Sequence, residues 1–274
     1  MKKTATNILK ATLGRMPVSQ KAVHNGALTW YTVKVLKHQD DQLEKHLQLD
    51  PYKVFYQRPY ELLHTYSEIF TNGIYHFRAS RENPLIIDCG SNIGIGLLNY
   101  KAQYPQARII GFEPDKGNFA LLQKNIKHNK LEGVTLHQAA VWTSNGTISF
   151  ASEASEASHI AEDGSGGQIV TAIRLADILA AEDKIDFLKI DIEGAEWPVI
   201  QDCAPYLGKV DNLFLEYHGK TTETSKLTGI MQILEKAGYS VYVQNAADNL
   251  ARPFLQKTTG TIYDVQLNLY CFKA

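Results

Sequence analysis

The sequence predicts an α/β fold whose parallel sheet is covered on both faces. Three observations carry that expectation. Short apolar runs recur from about residue 85 onward, and four of them close on an acid: Ile87-Asp88, Phe112-Glu113, Ile190-Asp191 and Leu215-Glu216. Segments with apolar residues at helical spacing separate most of these runs. A turn rich in glycine and asparagine, Gly90-Ser91-Asn92-Ile93-Gly94, directly follows the first run. Strands alternating with amphipathic helices make βαβ units, and those units build parallel sheets.

Each element follows from its own pattern. Leu85-Ile86-Ile87-Asp88 reads as a buried strand, and Gly94 to Tyr104 as a helix stopped by Pro105. Arg108 to Glu113 is the next strand; Phe119, Leu122 and Ile126 stripe the helix after it. Val134-Thr135-Leu136-His137 makes a third strand. Thr147 to Phe150 and Ile169 to Arg174 are further strands, and Leu175 to Ala181 is a short helix. Ile185 to Asp191 is a strand, and Pro198 sits in the first turn of a helix reaching about Tyr206. Asn212 to Glu216 is the next strand. Leu227, Ile230, Met231 and Leu234 stripe a helix that Gly238 ends. Ser240 to Val243 and Val265 to Tyr270 close the chain with no helical pattern between them, which predicts an antiparallel pair.

Two regions depart from the rhythm. Residues 151–168 are rich in Ser, Ala, Glu and Gly, a composition with little core to bury. They read as a lid over a site or as a plain surface loop. Residues 1–68 precede the alternation and hold aromatic stretches such as Tyr52 to Tyr56 and Arg58-Pro59-Tyr60. Mostly helices are expected there, as a cap, a substrate wall or a dimer contact.

Composition narrows the function classes. The net charge is −1, so the basic balance of a general nucleic-acid binder is missing. The three cysteines, Cys89, Cys203 and Cys271, make neither a disulfide framework nor zinc spacing, and point to a reducing compartment. No apolar run approaches the roughly 18–20 residues of a membrane span. A secretory leader would need a longer apolar centre than Thr4 to Pro17 offers, so a cytoplasmic location without stable membrane insertion is expected.

The glycine turn carries the chemistry. The strand delivers Asp88 to the carboxyl edge of the sheet, where open α/β folds bind ligands. Gly90 lets the backbone turn close to a ligand without a Cβ. Ser91 lies in the turn, Asn92 can bond backbone or ligand there, and Gly94 opens the next helix. The order Gly90-x-x-x-Gly94-x-Gly96 departs from the G-x-G-x-x-G of dinucleotide enzymes, whose helix N-terminus meets a pyrophosphate. S-adenosylmethionine (SAM) has no phosphate. Its cationic amine suits Asp88, and its carboxylate suits loop amides. Glu113, followed by Pro114, lies roughly 20–25 residues beyond the glycine turn, where an acid accepts both ribose hydroxyls. Asn118 starts the following helix and caps it or supports the Glu113 loop. Ala139 and Ala140 leave room for a flat adenine, or simply fill tight core positions.

At these residues the chain resembles the FkbM methyltransferase family. The stretches LIIDCGSNIG, GFEPDKGNFALLQKNI, VTLHQAAVW, IRLADIL, DFLKIDIEGAEWPVI and LFLEYHG carry the resemblance, together with Ile69 to Tyr75. It covers about residues 69–273 and leaves residues 1–68 outside. The resemblance implies a Rossmann-like class I methyltransferase fold over 69–274: a seven-stranded, mainly parallel sheet with one antiparallel strand. It implies SAM at Asp88, Gly90, Asn92, Gly94 and Glu113, and methylation of hydroxyls on sugars, glycoconjugates or natural products.

Methyl transfer to a hydroxyl needs its oxygen held in line and its proton removed. Residues ending the fourth and fifth strands supply candidates. Lys189 and Asp191 share one strand face, as do Glu216 and His218. In one reading His218 is the general base, oriented by Asp191 or Glu216. In the other, Asp191 and Glu216, with or without His218, hold Mg²⁺ or a similar divalent ion. Plainer roles stand beside these: Lys189 pairing a carboxylate, Glu193 capping a turn at Gly194, Glu196 satisfying helix amides. The competing functions are N- or C-methylation, a SAM-binding protein without turnover, and a nicotinamide-dependent oxidoreductase. The expected partner is a small-molecule or saccharide acceptor, with a homodimer as the open alternative for residues 1–68.

Overall fold

A computed structural model describes residues 23–24, 27–151, 159–160, 168–256 and 262–273. It divides into two compact units. One comprises the described residues up to His76 with Asn92–Pro105 and Gly117–Glu132; the other comprises Phe77–Ser91, Gln106–Lys116 and the described residues from Gly133 on.

The first unit begins with two short strands, β1 (Val23–His24) and β2 (Ala27–Leu28), and helix α1 (Trp30–Leu36). An antiparallel pair follows, β3 (Lys45–Leu49) and β4 (Tyr52–Tyr56), then α2 (Pro59–Tyr66) and one π-helical turn, Ser67–Thr71. The described part of this extension is therefore mixed rather than mostly helical. Its period explains why: Leu47 and Leu49 are buried while His46 and Gln48 are exposed, the alternation of a strand. Mostly helices were expected there; the alternation in β3 and the aromatic content of β4 suit strands. Helices α3 (Ile95–Gln103) and α4 (Lys116–His128) supply the rest of the unit. Asn125 and Asn129 of α4 bond the backbone of β4: Phe55 N–H donates to Asn125 Oδ1 at 2.7 Å, and Lys53 N–H to Asn129 Oδ1 at 2.9 Å.

The second unit holds the main sheet. Its strands are β5 (Leu85–Cys89), β6 (Arg108–Phe112), β7 (Val134–His137), β12 (Ile185–Ile190), β13 (Val210–Gly219), β14 (Ser240–Asn245) and β15 (Val265–Phe272). The order across the sheet is β14-β15-β13-β12-β5-β6-β7, with only β15 antiparallel to its neighbours. That is the seven-stranded arrangement expected. A second, four-stranded sheet joins β8 (Ala140–Trp142), β9 (Gly146–Ala151), β10 (His159–Ile160) and β11 (Gln168–Arg174). The supposed lid or loop, 151–168, lies outside the described residues except for its two ends and β10, as does the segment Thr4 to Pro17 weighed as a leader.

One face of the main sheet is apolar and covered. Ile87, Leu188, Ile190, Leu213 and Leu215 pack with Leu175 and Leu179 of α5 (Leu175–Ala181), Val199, Ile200 and Cys203 of α6 (Glu196–Cys203), and Ile230 and Leu234 of α7 (Thr224–Lys236). The opposite face turns polar toward the carboxyl ends of its strands. Register aligns Asp88 with Lys189, and Lys189 with Phe214; one residue past the next pair, Ile190 with Leu215, stand Asp191 and Glu216. Glu216 is paired in turn with Asn268 on β15. No helix among the described residues is long and apolar enough to cross a membrane.

Candidate active site

Asp88, next to last in β5, is buried, and its surroundings fix it. Ser91 Oγ donates to Asp88 Oδ1 at 3.1 Å, and Lys189 Nζ stands 3.9 Å from the same oxygen. Lys189 Nζ also donates to the Gly90 carbonyl at 2.6 Å and lies 3.0 Å from Asp191 Oδ2. The lysine thus ties the ends of β5 and β12 together. Gly90 has a φ of 87°, and a Cβ there would lie 2.0 Å from the Asp191 carbonyl oxygen. No other residue type fits that turn without moving backbone. The Gly90 and Ser91 amides both donate to Phe112 O, at 3.0 and 2.8 Å, which locks the turn to the end of β6.

Glu113 follows Phe112 and is buried. Its amide donates to His137 O at 3.1 Å, and its Oε1 accepts from the Asp115 amide at 2.9 Å. The carboxylate is held by its own loop just past the carboxyl end of β6. Pro114, beside it, is half-buried. Ala139 is buried between β7 and β8. Ala140 instead starts β8 and packs with Val170 and Ile148 in the second sheet, the tight core role that small residues also fill.

In the first unit, Asn92 has a left-handed φ of 48°, and its own Oδ1 accepts from the Ile93 amide at 2.7 Å. Asparagine tolerates that conformation through such local bonds. Gly94, at φ 91°, caps α3, and a Cβ there would stand 2.6 Å from Leu122 Cδ1. Asn118 does not cap α4, because the helix starts earlier, at Lys116; its Oδ1 accepts from Arg58 Nη2 at 3.2 Å.

A second group of side chains gathers around His218, near the end of β13. Nδ1 of His218 lies 3.2 Å from Glu196 Oε1. Nε2 lies 3.4 Å from Glu193 Oε2 and 3.5 Å from Glu216 Oε1. Glu196 opens α6 and is fully buried; its carboxylate accepts from the Ile192 amide at 3.2 Å and from the Gly194 amide at 3.1 Å. The amides it satisfies belong to the turn before α6 rather than to the helix start expected from sequence, and the same Oε1 faces His218. Glu193 and Gly194 are both left-handed, at φ 53° and 95°. Tyr263 spans this turn: its hydroxyl donates to the Glu193 carbonyl, and its ring lies 5.0 Å from that of His218.

Charge follows packing. Burial pulls the His218 imidazole down, but Glu196, through charge and hydrogen bond, with Glu193 and Asp191, more than reverses this and holds it up to about 10. Burial first, and then neighbouring carboxylates, pushes the Glu193 carboxyl up against the opposing field of His218. Asp191, Glu193 and His218 each place a ligand atom within 4.8 Å of the others. The cluster thus joins Asp191 to Glu193 and His218; Glu216, expected from sequence as the partner of Asp191, meets the group through His218 Nε2 instead. Sequence reasoning left Glu193 as a turn residue and missed Tyr263. A glutamate before glycine was the only local signal for the first, and nothing local marks the second.

The model of the methyltransferase FkbM domain matches residues 88–241. The chain belongs to the FkbM methyltransferase family. Its FkbM domain runs from the buried Asp88 to β14, so it takes in the acid-ended strands and the His218 cluster. Over 172 residues the chain is 31% identical to the methyltransferase sdnD of Sordaria araneosa, covering 50% of this chain and 66% of that protein. Over 210 residues it is 24% identical to Methyltransferase 1 of Beauveria bassiana, covering 67% of this chain and 82% of that one. The solved FkbM methyltransferase of Methylobacillus flagellatus superposes with a TM-score of 0.50 at 16% identity, over 99% of this chain and 60% of that one. That likeness establishes the shared fold.

Proposed function

We propose that the protein transfers a methyl group from SAM to a hydroxyl of a sugar, glycoconjugate or natural product. The observation that carries this reading is the pair of fixed acids at adjacent strand ends: Asp88, held by Ser91, and Glu113, held by the Asp115 amide. The residues fit SAM. Asp88 complements its ammonium group, and Glu113 presents a rigid acceptor for a ribose diol. The Gly90 turn, with Ser91 and Pro114 near it, keeps the backbone close, and Ala139 adds a small neighbour. When bound, SAM supplies an electrophilic methyl on a sulfonium. The chain's own residues hold the acceptor oxygen and take its proton.

Asp191, Glu216 and His218 stand at the acceptor side in this reading. Every group there accepts hydrogen bonds or carries negative charge apart from the imidazole and Lys189, which suits a ligand rich in hydroxyls. The same carboxylates would hold an amine as ammonium, without the lone pair that attacks, so O-methylation is favoured over N-methylation. Buried, free cysteines accord with a cytoplasmic protein. Residues 1–68 serve acceptor choice or a homodimer contact, and no nucleic-acid partner is invoked. The test is turnover of SAM on a panel of hydroxylated sugars and natural products, with the methylated atom located by NMR. An ether product, lost in Asp191→Asn, supports the reading; methylation only at nitrogen or carbon refutes it.

A further inference from the structure

The geometry points to a binding site for a divalent first-row metal ion formed by Asp191, Glu193 and His218, with Glu216 beside them. Four independent features lead there. Ligand atoms of Asp191, Glu193 and His218 already lie within 4.8 Å of one another. The histidine is presented as a ligand. Glu196 accepts only, and the Ile192 and Gly194 amides hold it in place, so it takes the Nδ1–H and turns Nε2 toward Glu193 and Glu216. A buried carboxylate behind the far nitrogen is how metal-binding histidines are oriented.

The backbone is also set for it. Glu193 holds a φ of 53°, which side chains rarely adopt, and Tyr263 pins that turn through the Glu193 carbonyl. Strain of this kind persists where the surroundings enforce it, commonly at functional sites. Finally, Asn268 is 4% exposed, and its Oδ1 has no hydrogen-bond partner. It stands on β15 directly across from Glu216, so the two side chains share a face. A buried amide oxygen without a donor, on the same sheet face as the Glu216 carboxylate, calls for a cation.

The donor set chooses the ion. Carboxylates alone favour Mg²⁺ or Ca²⁺, but an imidazole nitrogen among them moves preference to Mn²⁺ or Zn²⁺. Such an ion would hold an acceptor oxygen and make its proton easier to remove. That role rests on the proposed methyl transfer; the binding itself does not.

The experiment uses the full chain, stripped of metal and titrated with Mn²⁺ alone, free Mn²⁺ being followed by EPR. A parallel titration uses S-adenosylhomocysteine. The expected result is one Mn²⁺ per chain, weakened at least about tenfold in Glu193→Gln and in His218→Gln, with Mg²⁺ a poor competitor. Both variants must still bind S-adenosylhomocysteine, which shows that they fold. Glu113→Ala should bind Mn²⁺ normally while losing the nucleoside, so the two sites fail separately. Wild-type protein that binds S-adenosylhomocysteine but takes up neither Mn²⁺ nor Zn²⁺ overturns the metal site and leaves methyl transfer standing. Equal Mn²⁺ uptake by both variants overturns it too, as does an alkylammonium bound in place of any metal.

Discussion

Glu196 is the residue whose removal costs most around the site, and its effect can be worked from contacts. Its carboxylate accepts from the Ile192 amide at 3.2 Å and the Gly194 amide at 3.1 Å, and lies 3.2 Å from His218 Nδ1. In Glu196→Ala, two partly buried amides lose an acceptor, at roughly 1 kcal/mol each. The buried His218 also loses its nearest counter-charge, and breaking a buried ion pair costs about 3–5 kcal/mol. Glu193 and Glu216 still face the other ring nitrogen, so the lower part of that range applies, and the total comes to about 5–6 kcal/mol. Glu196→Gln keeps one oxygen for the amides and loses the charge, so about half that loss is expected. Urea denaturation followed by circular dichroism reads both, with an unchanged slope showing that only stability moved. If Glu196→Ala unfolded within about 0.5 kcal/mol of wild type, or no earlier than Glu196→Gln, the assignment of Glu196 as the anchor of the turn and of His218 would be wrong.

Other consequences follow from single contacts. In Gly90→Ala the added Cβ meets the Asp191 carbonyl at 2.0 Å in a left-handed turn, so a loss above about 3 kcal/mol and no detectable nucleoside binding are expected by denaturation and calorimetry. Lys189→Met leaves the buried Asp88 without its cation, and thermal unfolding should show a loss of about 3–5 kcal/mol. Burial pushes the Cys203 and Cys271 thiols up to about 12, and Cys89 is buried with them. Ellman's reagent at pH 8 should therefore label none of the three until denaturant is added; prompt labelling of the native protein would contradict that packing.

Much of this was legible in the chain because two periods encode it. Alternating apolar runs placed Asp88, Glu113 and Asp191 at or beside strand ends, whereas β13 runs on past Glu216 to Gly219, and the 3.6-residue stripe of Phe119, Leu122 and Ile126 placed α4 between strands. The antiparallel pair β14–β15 followed from the missing helix between them. What failed to show depends on geometry that no local pattern carries. The strand pair Lys45–Leu49 and Tyr52–Tyr56 was not read from sequence: β3 alternates over only five residues, and β4 is buried without alternation from Val54 to Tyr56. The chain breaks at Gln138 and sends Ala140 into another sheet, which small size alone cannot announce. Glu193 joins His218 because two left-handed residues turn the chain back, and Tyr263 comes from 70 residues away to hold that turn. Glu196 was read as a helix-start acid, which it is; that its second duty is to a histidine on β13 required the sheet.

Calorimetric titration of S-adenosylhomocysteine into wild-type protein and into Glu113→Ala tests the central claim most directly. One nucleoside should bind per chain, and the variant should bind about 10–100-fold more weakly, the worth of hydrogen bonds to a charged group. Wild-type protein that gives no binding heat while NAD binds, or a Glu113→Ala protein as tight as wild type, would contradict the account.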